Sequence, residues 1–314
     1  MKHSATASYE NNFEIIELKN DLISAKIAVN MGNTLFSLKQ NKDEKMYFPF
    51  TFDEYKSNLK LAGNPFLHPW ANRLEADSIL VENHKHLFPE ENKHLLYRDG
   101  NNLAMHGLLL KSENWKTIEI YEDEHQCFHL AEFVFDDETF LSIFPFKHTI
   151  LMKHQLQNNK LSIETTVVNE DEKAMPISFG FHPYFLKTNE NLTLKIPTND
   201  VIEVDEKMIP TGNIFDKNKK WNFINNEISL KENAFDDGFQ NLQFEDNIAR
   251  FSLDNIEVQF DKNYPFAQIY APKHRAKPYV CIEPMTAATN SLNKNLCKII
   301  AKNESFTANF SIVL

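Results

Sequence analysis

Glycine is scarce in this sequence, with seven copies in 314 residues. Tight turns therefore fall to Asn and Asp, the other residues that tolerate left-handed backbone. Cysteine is scarcer still. Cys127, Cys281 and Cys297 form an odd set with neither a CxxC pair nor a zinc-ligand spacing. That pattern reads as free thiols in a reducing compartment, not a disulfide framework. No stretch approaches the roughly 20 apolar residues of a membrane helix. Residues 1–15 (MKHSATASYENNFEI) hold no apolar core of signal-peptide length, so a cytoplasmic location is expected. Positive charge is in deficit: 33 Lys and Arg face 44 Asp and Glu, a net charge of −11. A field of that sign disfavours nucleic acid and anionic membrane surfaces as partners. Repeats, low-complexity blocks and Pro/Ser/Gly-rich linkers are missing too. One domain spanning residues 1–314 is expected, with the polar residues 1–12 as a loose leading segment.

Aromatic residues, by contrast, are abundant, with 26 Phe. They suit strands and an aromatic-rich core. Near the C-terminus, Phe306, Ala308, Phe310, Ile312 and Leu314 alternate with Thr307, Asn309, Ser311 and Val313. A period of two means a strand with one face buried. Leu161, Ile163, Thr165 and Val167 share a strand face in the same way. Residues 157–160 (QNNK) read as the hairpin turn before them, and Asp254-Asn255 as another between residues 250–253 and 256–260. Residues 13–18 and 22–29 form a third strand pair. Helical patterns are weak, and residues 51–61 (TFDEYKSNLKL) are the one short helix predicted. The expected class is all-β, a large antiparallel β-sandwich with few short helices and long functional loops.

Five segments break the alternation and concentrate Pro, His, Arg and Trp. They are residues 63–74 (GNPFLHPWANRL), 105–115 (MHGLLLKSENW), 178–185 (SFGFHPYF), 235–239 (FDDGF) and 281–292 (CIEPMTAATNSL). A carbohydrate site needs this mixture, because ring faces cover the apolar side of a pyranose while charged groups fork onto its hydroxyls. Singly, each residue also has a structural reading: His106 as a turn residue before Gly107, His182 as a hydrogen-bonded core histidine, Arg73 as an ion-pair member, Asp236 and Asp237 as a solvated turn, Glu283 as a surface carboxylate beside Pro284. If residues 280–283 form a strand, Tyr279, Cys281 and Glu283 share one face, and Val280 and Ile282 point to the core.

Taken together and in this order, the segments resemble the aldose 1-epimerase (galactose mutarotase-like) family. The resemblance rests on Asn72-Arg73, on His106-Gly107 followed by Trp115, on His182-Pro183-Tyr184-Phe185, on Asp236 before Phe239, and on Cys281-Ile282-Glu283-Pro284 with Thr289-Asn290 behind it. It covers nearly the whole chain. It implies the galactose mutarotase-like supersandwich, with a sugar held in an open cleft on a concave sheet, and an isomerase that interconverts the α and β anomers of a free aldose. It further implies Glu283 as general base, His182 as general acid, and Arg73, His106, Asp236 and Asn72 as substrate-binding groups. A neutral monosaccharide such as glucose or galactose is the expected partner. No cofactor and no metal are expected, and the chain is expected as a monomer or homodimer. The sequence departs from the better-known pattern at Asp237, at Pro284-Met285 and in residues 72–79 (NRLEADSI), which bears on sugar preference. The hexose-6-phosphate branch of the family uses additional arginines; none lies near His106 or His182 in sequence, which favours an unphosphorylated sugar.

These residue types fit the chemistry. Mutarotation removes a proton from the C1 hydroxyl and delivers one to the ring oxygen, so one group arrives as base and the other as acid. A histidine of pKa about 6.5 is only about a quarter protonated at pH 7, and Glu283 and Asp236 nearby are expected to raise that fraction. Three competitors stand beside this reading. One is a metal-dependent hydrolase built on His68, His106, His182 and Asp236. Another is a non-catalytic sugar-binding or sugar-sensing protein on the same scaffold. The third is an epimerase of a modified sugar.

Overall fold

The computed structural model describes residues 2–189, 191–273 and 277–314. Two antiparallel sheets dominate. The larger has nine strands in the order Glu227–Ser229, Thr193–Lys195, Ile248–Leu253, Ile256–Asp261, Ser305–Val313, Lys160–Asn169, His148–Gln157, Cys127–Phe135 and Lys116–Glu122. The second has eight, running Pro210–Asp216, Asp200–Val204, Phe235–Phe239, Phe266–Ala271, Tyr279–Met285, Gly180–Phe181 and Phe66–Leu67, with Tyr184–Leu186 also paired to Tyr279–Met285.

The period of two drives their packing. Leu161, Ile163, Thr165 and Val167 on one strand, and Phe306, Ala308, Phe310 and Ile312 on its neighbour, are all buried. They meet Ile269, Val280 and Ile282 of the eight-stranded sheet in one continuous core. Aromatic pairs staple the two sheets: Phe181 lies 4.9 Å from Phe310 and Phe179 lies 6.0 Å from Phe306, centroid to centroid. Ring pairs of this kind add about 0.5–1.5 kcal/mol each beyond their burial. The predicted hairpins form at Asn158-Asn159 and Asp254-Asn255, with Asn158 and Asp254 at positive φ. Most non-glycine residues at positive φ are Asn, so the glycine deficit is met as expected.

The predicted short helix is Phe52–Ser57, opened by a capping box in which Thr51 and Glu54 satisfy each other's backbone N–H groups. Among the described residues no helix is long and apolar enough to cross a membrane.

The leading segment differs from expectation. Ser4–Glu10 is not loose but a strand paired residue by residue with Phe13–Lys19, at the edge of a five-stranded sheet. Asn11 and Asn12, both at positive φ, make the turn. The strand is mostly exposed, so backbone hydrogen bonds hold it and no apolar alternation marks it in the sequence.

The strand Tyr279–Met285 is buried on both faces. Val280 and Ile282 enter the inter-sheet core, whereas Tyr279, Cys281 and Met285 belong to a separate cluster with Leu61, Leu67 and Tyr184. The eight-stranded sheet therefore has an outer face that is covered but not filled, and a cleft lies on it.

Candidate functional site

The cleft has a volume of about 450 Å³, within the range that encloses small ligands. Its floor is the outer face of the eight-stranded sheet, with Asp236, Gln268, Tyr270, Glu283, His182 and Tyr184. Loops carrying Tyr47, Leu61, Asn72, Arg73, Tyr97, Asp99 and His106 form the walls.

Strand alternation places the floor groups. Phe235 and Phe239 turn to the core, so Asp236 between them turns to the cleft. Asp237 takes the core side, where it is buried and bonded to Lys220 Nζ at 2.5 Å. Glu283 is registered against Gln268 on the adjacent strand, and Gln268 donates from Nε2 to Asp236 Oδ1 at 2.8 Å. Phe181 faces the core, so His182 faces the cleft, and its backbone N–H donates to Pro65 O at 3.1 Å.

At the centre of the floor, His182 Nε2 lies 3.2 Å from Glu283 Oε1, with both side chains at least nine-tenths buried. Glu283 Oε2 and His182 Nδ1 are buried without a hydrogen-bond partner among the described residues. Burial pushes the Glu283 carboxyl well above its usual range, the Asp236 charge adds to this, and Arg73 opposes it. Burial also drives the His182 imidazole down to about 3. The expectation that Glu283 and Asp236 raise the protonated fraction of His182 is thus overturned: burial dominates and drives the imidazole the other way. Both shifts favour the uncharged forms, a protonated carboxyl and an unprotonated imidazole.

The wall groups are held as tightly. Arg73 donates from Nε to Asp99 Oδ2 at 2.7 Å and from Nη1 to Asn72 Oδ1 at 2.9 Å, and its Nη2 stands 4.0 Å from Asp236 Oδ2. Asp99 also accepts the N–H groups of Asn101 and Leu103. Burial pushes its carboxyl up, but the Arg73 hydrogen bond and those two donors outweigh burial and hold it below the usual range. Asn290, at positive φ, donates its N–H to Arg73 O at 3.0 Å and so fixes the loop from behind. The Asn72 N–H donates to His106 Nδ1 at 3.3 Å, while the His106 N–H donates to Asn72 O at 2.9 Å. The occupied Nδ1 leaves the His106 proton on Nε2, in the cleft wall. Burial first, then the neighbouring His182 and Arg73, lower the His106 pKa well below its usual value. Gly107 explains the pairing of His with Gly in the sequence: its φ is +70°, and a Cβ there would lie 2.1 Å from His68 O.

The sequence profile described as Aldose 1-epimerase matches residues 14–312. The chain belongs to the aldose 1-epimerase family. Solved structures share its fold at low identity. A galactose mutarotase-like protein from Clostridium acetobutylicum is 20% identical, with a TM-score of 0.86 over 99% of this chain and 98% of its own. A galactose 1-epimerase from Lactobacillus acidophilus is 16% identical, with a TM-score of 0.76 over 99% and 98%. A galactose mutarotase-like protein from Lactobacillus casei is 16% identical, with a TM-score of 0.69 over 95% and 99%.

Within this member of the aldose 1-epimerase family, the six residues singled out from sequence, Glu283, His182, Arg73, His106, Asp236 and Asn72, all line the one cleft. His68 does not. Its Nε2 is 2.7 Å from His148 Nε2 inside the aromatic core, where His148 Nδ1 donates to Phe146 O at 2.8 Å. The four-residue grouping of His68, His106, His182 and Asp236 is therefore not assembled. Trp70 and Trp115 are also core residues, stacked on Phe88 and packed against Phe66 and Phe133. Asp99 and Gln268 were not identified from the sequence; an Asp-Gly turn and a mid-strand Gln carry no signal of their own. The sequence argument from absent arginines also changes in three dimensions. Arg73 and Arg98 reach the cleft with Lys60 and Lys277, although none of them neighbours His106 or His182 in the chain. The net charge of −11 does not describe the cleft.

Proposed function

We propose that the protein is an aldose 1-epimerase that opens and recloses the ring of a free aldose, with Glu283 as the base at the C1 hydroxyl and His182 as the acid at the ring oxygen. The observation that carries this reading is the 3.2 Å contact of His182 Nε2 with Glu283 Oε1 at the floor of a sugar-sized cleft, beside a Glu283 Oε2 without a hydrogen-bond partner among the described residues. One shared proton is the count the reaction needs. Shifting it from Oε1 to Nε2 leaves a carboxylate and an imidazolium. The carboxylate takes the C1 hydroxyl proton, the imidazolium gives its proton to the ring oxygen, and the C1–O5 bond breaks to leave the aldehyde. Rotation about C1–C2 followed by the reverse transfers closes the other anomer. Arg73 favours the ionised carboxylate through its charge. Together with His106 Nε2–H and Asp236 it supplies hydrogen bonds to sugar hydroxyls. Positioned acid–base chemistry contributes about 10²–10⁴-fold, which suits a reaction that proceeds unaided in water.

The test is anomeric exchange followed by NMR on freshly dissolved α-glucose, α-galactose and a panel of other free and phosphorylated aldoses. Acceleration over the buffer rate with at least one aldose is expected. Sugar binding without acceleration across the panel would instead indicate a sugar-binding protein.

A further inference from the structure

Catalytic histidines are ordinarily oriented through their second ring nitrogen, by a carboxylate or a backbone carbonyl. His182 has no such partner: its Nδ1 is buried and unpaired among the described residues. Something else must hold the ring. Tyr184 follows two residues later, so both side chains fall on one side of the chain. Its ring lies 4.3 Å from the imidazole with an interplanar angle of 8°, and its hydroxyl is 3.4 Å from Nε2. We propose that Tyr184 is the positioning residue of the acid–base pair: its ring, stacked face to face on the imidazole with the hydroxyl lying over Nε2, stops the imidazole from rotating and so keeps Nε2 directed at Glu283. This inference rests on the function proposed above.

Tyr184 is itself well anchored. Its N–H donates to Gly63 O at 2.8 Å, its carbonyl accepts the Tyr47 N–H at 2.8 Å, and it is registered against Cys281 across the strand pair. Tyr279 meets its ring edge-on at 4.9 Å. Burial, with Cys281 and Glu283 beside it, raises the phenol well above its usual pKa, so the hydroxyl keeps its proton. His106 meets the imidazole edge-on at 5.3 Å.

Two variants separate the ring from the hydroxyl. Tyr184→Leu removes both and is expected to lower kcat about 10–100-fold, the scale of a misplaced catalytic group, with KM within about two-fold of wild type. Tyr184→Phe restores the stacked ring and is expected to recover most of that loss. Rates are taken as ratios to a wild type first shown to accelerate exchange, so an inactive wild type would fail the function and not this inference. A Leu variant with wild-type kcat, or one altered in KM alone, would overturn the proposal. Should either variant fail to fold, NMR relaxation of the wild-type His182 ring decides. An imidazole as rigid as His148 is expected, and free reorientation on the nanosecond scale would overturn the role.

Discussion

The molecule holds two buried histidine contacts of similar length and opposite meaning. His68 and His148 meet at 2.7 Å inside a cage of Phe66, Phe135, Phe144 and Phe179. His182 and Glu283 meet at 3.2 Å on the cleft floor. Burial lowers the pKa of all three imidazoles, so depth and a perturbed pKa do not separate structure from chemistry here. Two other things do. The core pair is closed by apolar rings on every side, whereas the cleft pair borders an open volume. The core pair joins two imidazoles, both lowered by burial, while the cleft pair joins an imidazole to a carboxyl group, the acid and base of the proposed reaction. Perturbed pKa values mark functional sites only where a cleft and complementary chemistry accompany them.

The largest expected effect tests that division on the cleft side. Glu283→Gln keeps the shape of the side chain and removes its ability to take a proton. Exchange is expected to fall about 10²–10⁴-fold, equivalent to about 3–5 kcal/mol of barrier, while Tm changes little. Near wild-type exchange in this variant would remove Glu283 from the mechanism. The reverse experiment is His148→Ala. It opens a cavity beside Phe135 and leaves the His68 Nε2–H buried and unpaired, at a cost of about 3 kcal/mol. Urea unfolding is expected to show that loss, with exchange per folded molecule unchanged. A variant that kept its stability but lost activity would merge the two pairs into one network.

The sequence made the strands legible wherever one face was buried, as in residues 306–314 and 161–167, since alternation is then obligatory. It made the N-terminal strand illegible because Ser4–Glu10 buries little and is held by backbone pairing. The face occupied by Glu283 followed from the same period of two, and the cleft brings it to the side of the strand expected from residues 279–283. The six candidate site residues could be named because the segments that interrupt the pattern resemble, in order, those of the aldose 1-epimerase family. Asp99, Gln268 and the cleft lysines carry no local sequence signal, and only chain folding brings them to the cleft. His68 shows the converse: the same residue type in an interrupted segment, turned the other way by its backbone, belongs to the core.

The smallest increment, and the sharpest comparison, comes from pH. His129 and His154 are buried like the core pair, with imidazoles lowered to about 4 and about 3, and His148 to about 4. In the unfolded chain each takes up a proton near pH 6.5. Because the folded values are lower, the unfolded state binds more protons below pH 6.5. Stability is therefore complete above that pH and is lost as pH falls from 6.5 toward the folded values. Each buried imidazole contributes about 1.4 kcal/mol per pH unit in that window. The cleft pair obeys a different rule. On the proposed mechanism it works with one proton, so activity is expected to fall both when the pair gains a second proton and when it loses the one it has, and the two limbs belong to the pair and not to either residue. Urea unfolding and exchange rates measured across one pH series separate the cases. The histidine contribution to stability should decline on the acid side alone, and activity on both sides. A His154→Leu variant should flatten the acid slope of stability by about one proton and leave the activity curve in place. If the activity curve moved with it, the core histidines would be electrostatically joined to the cleft.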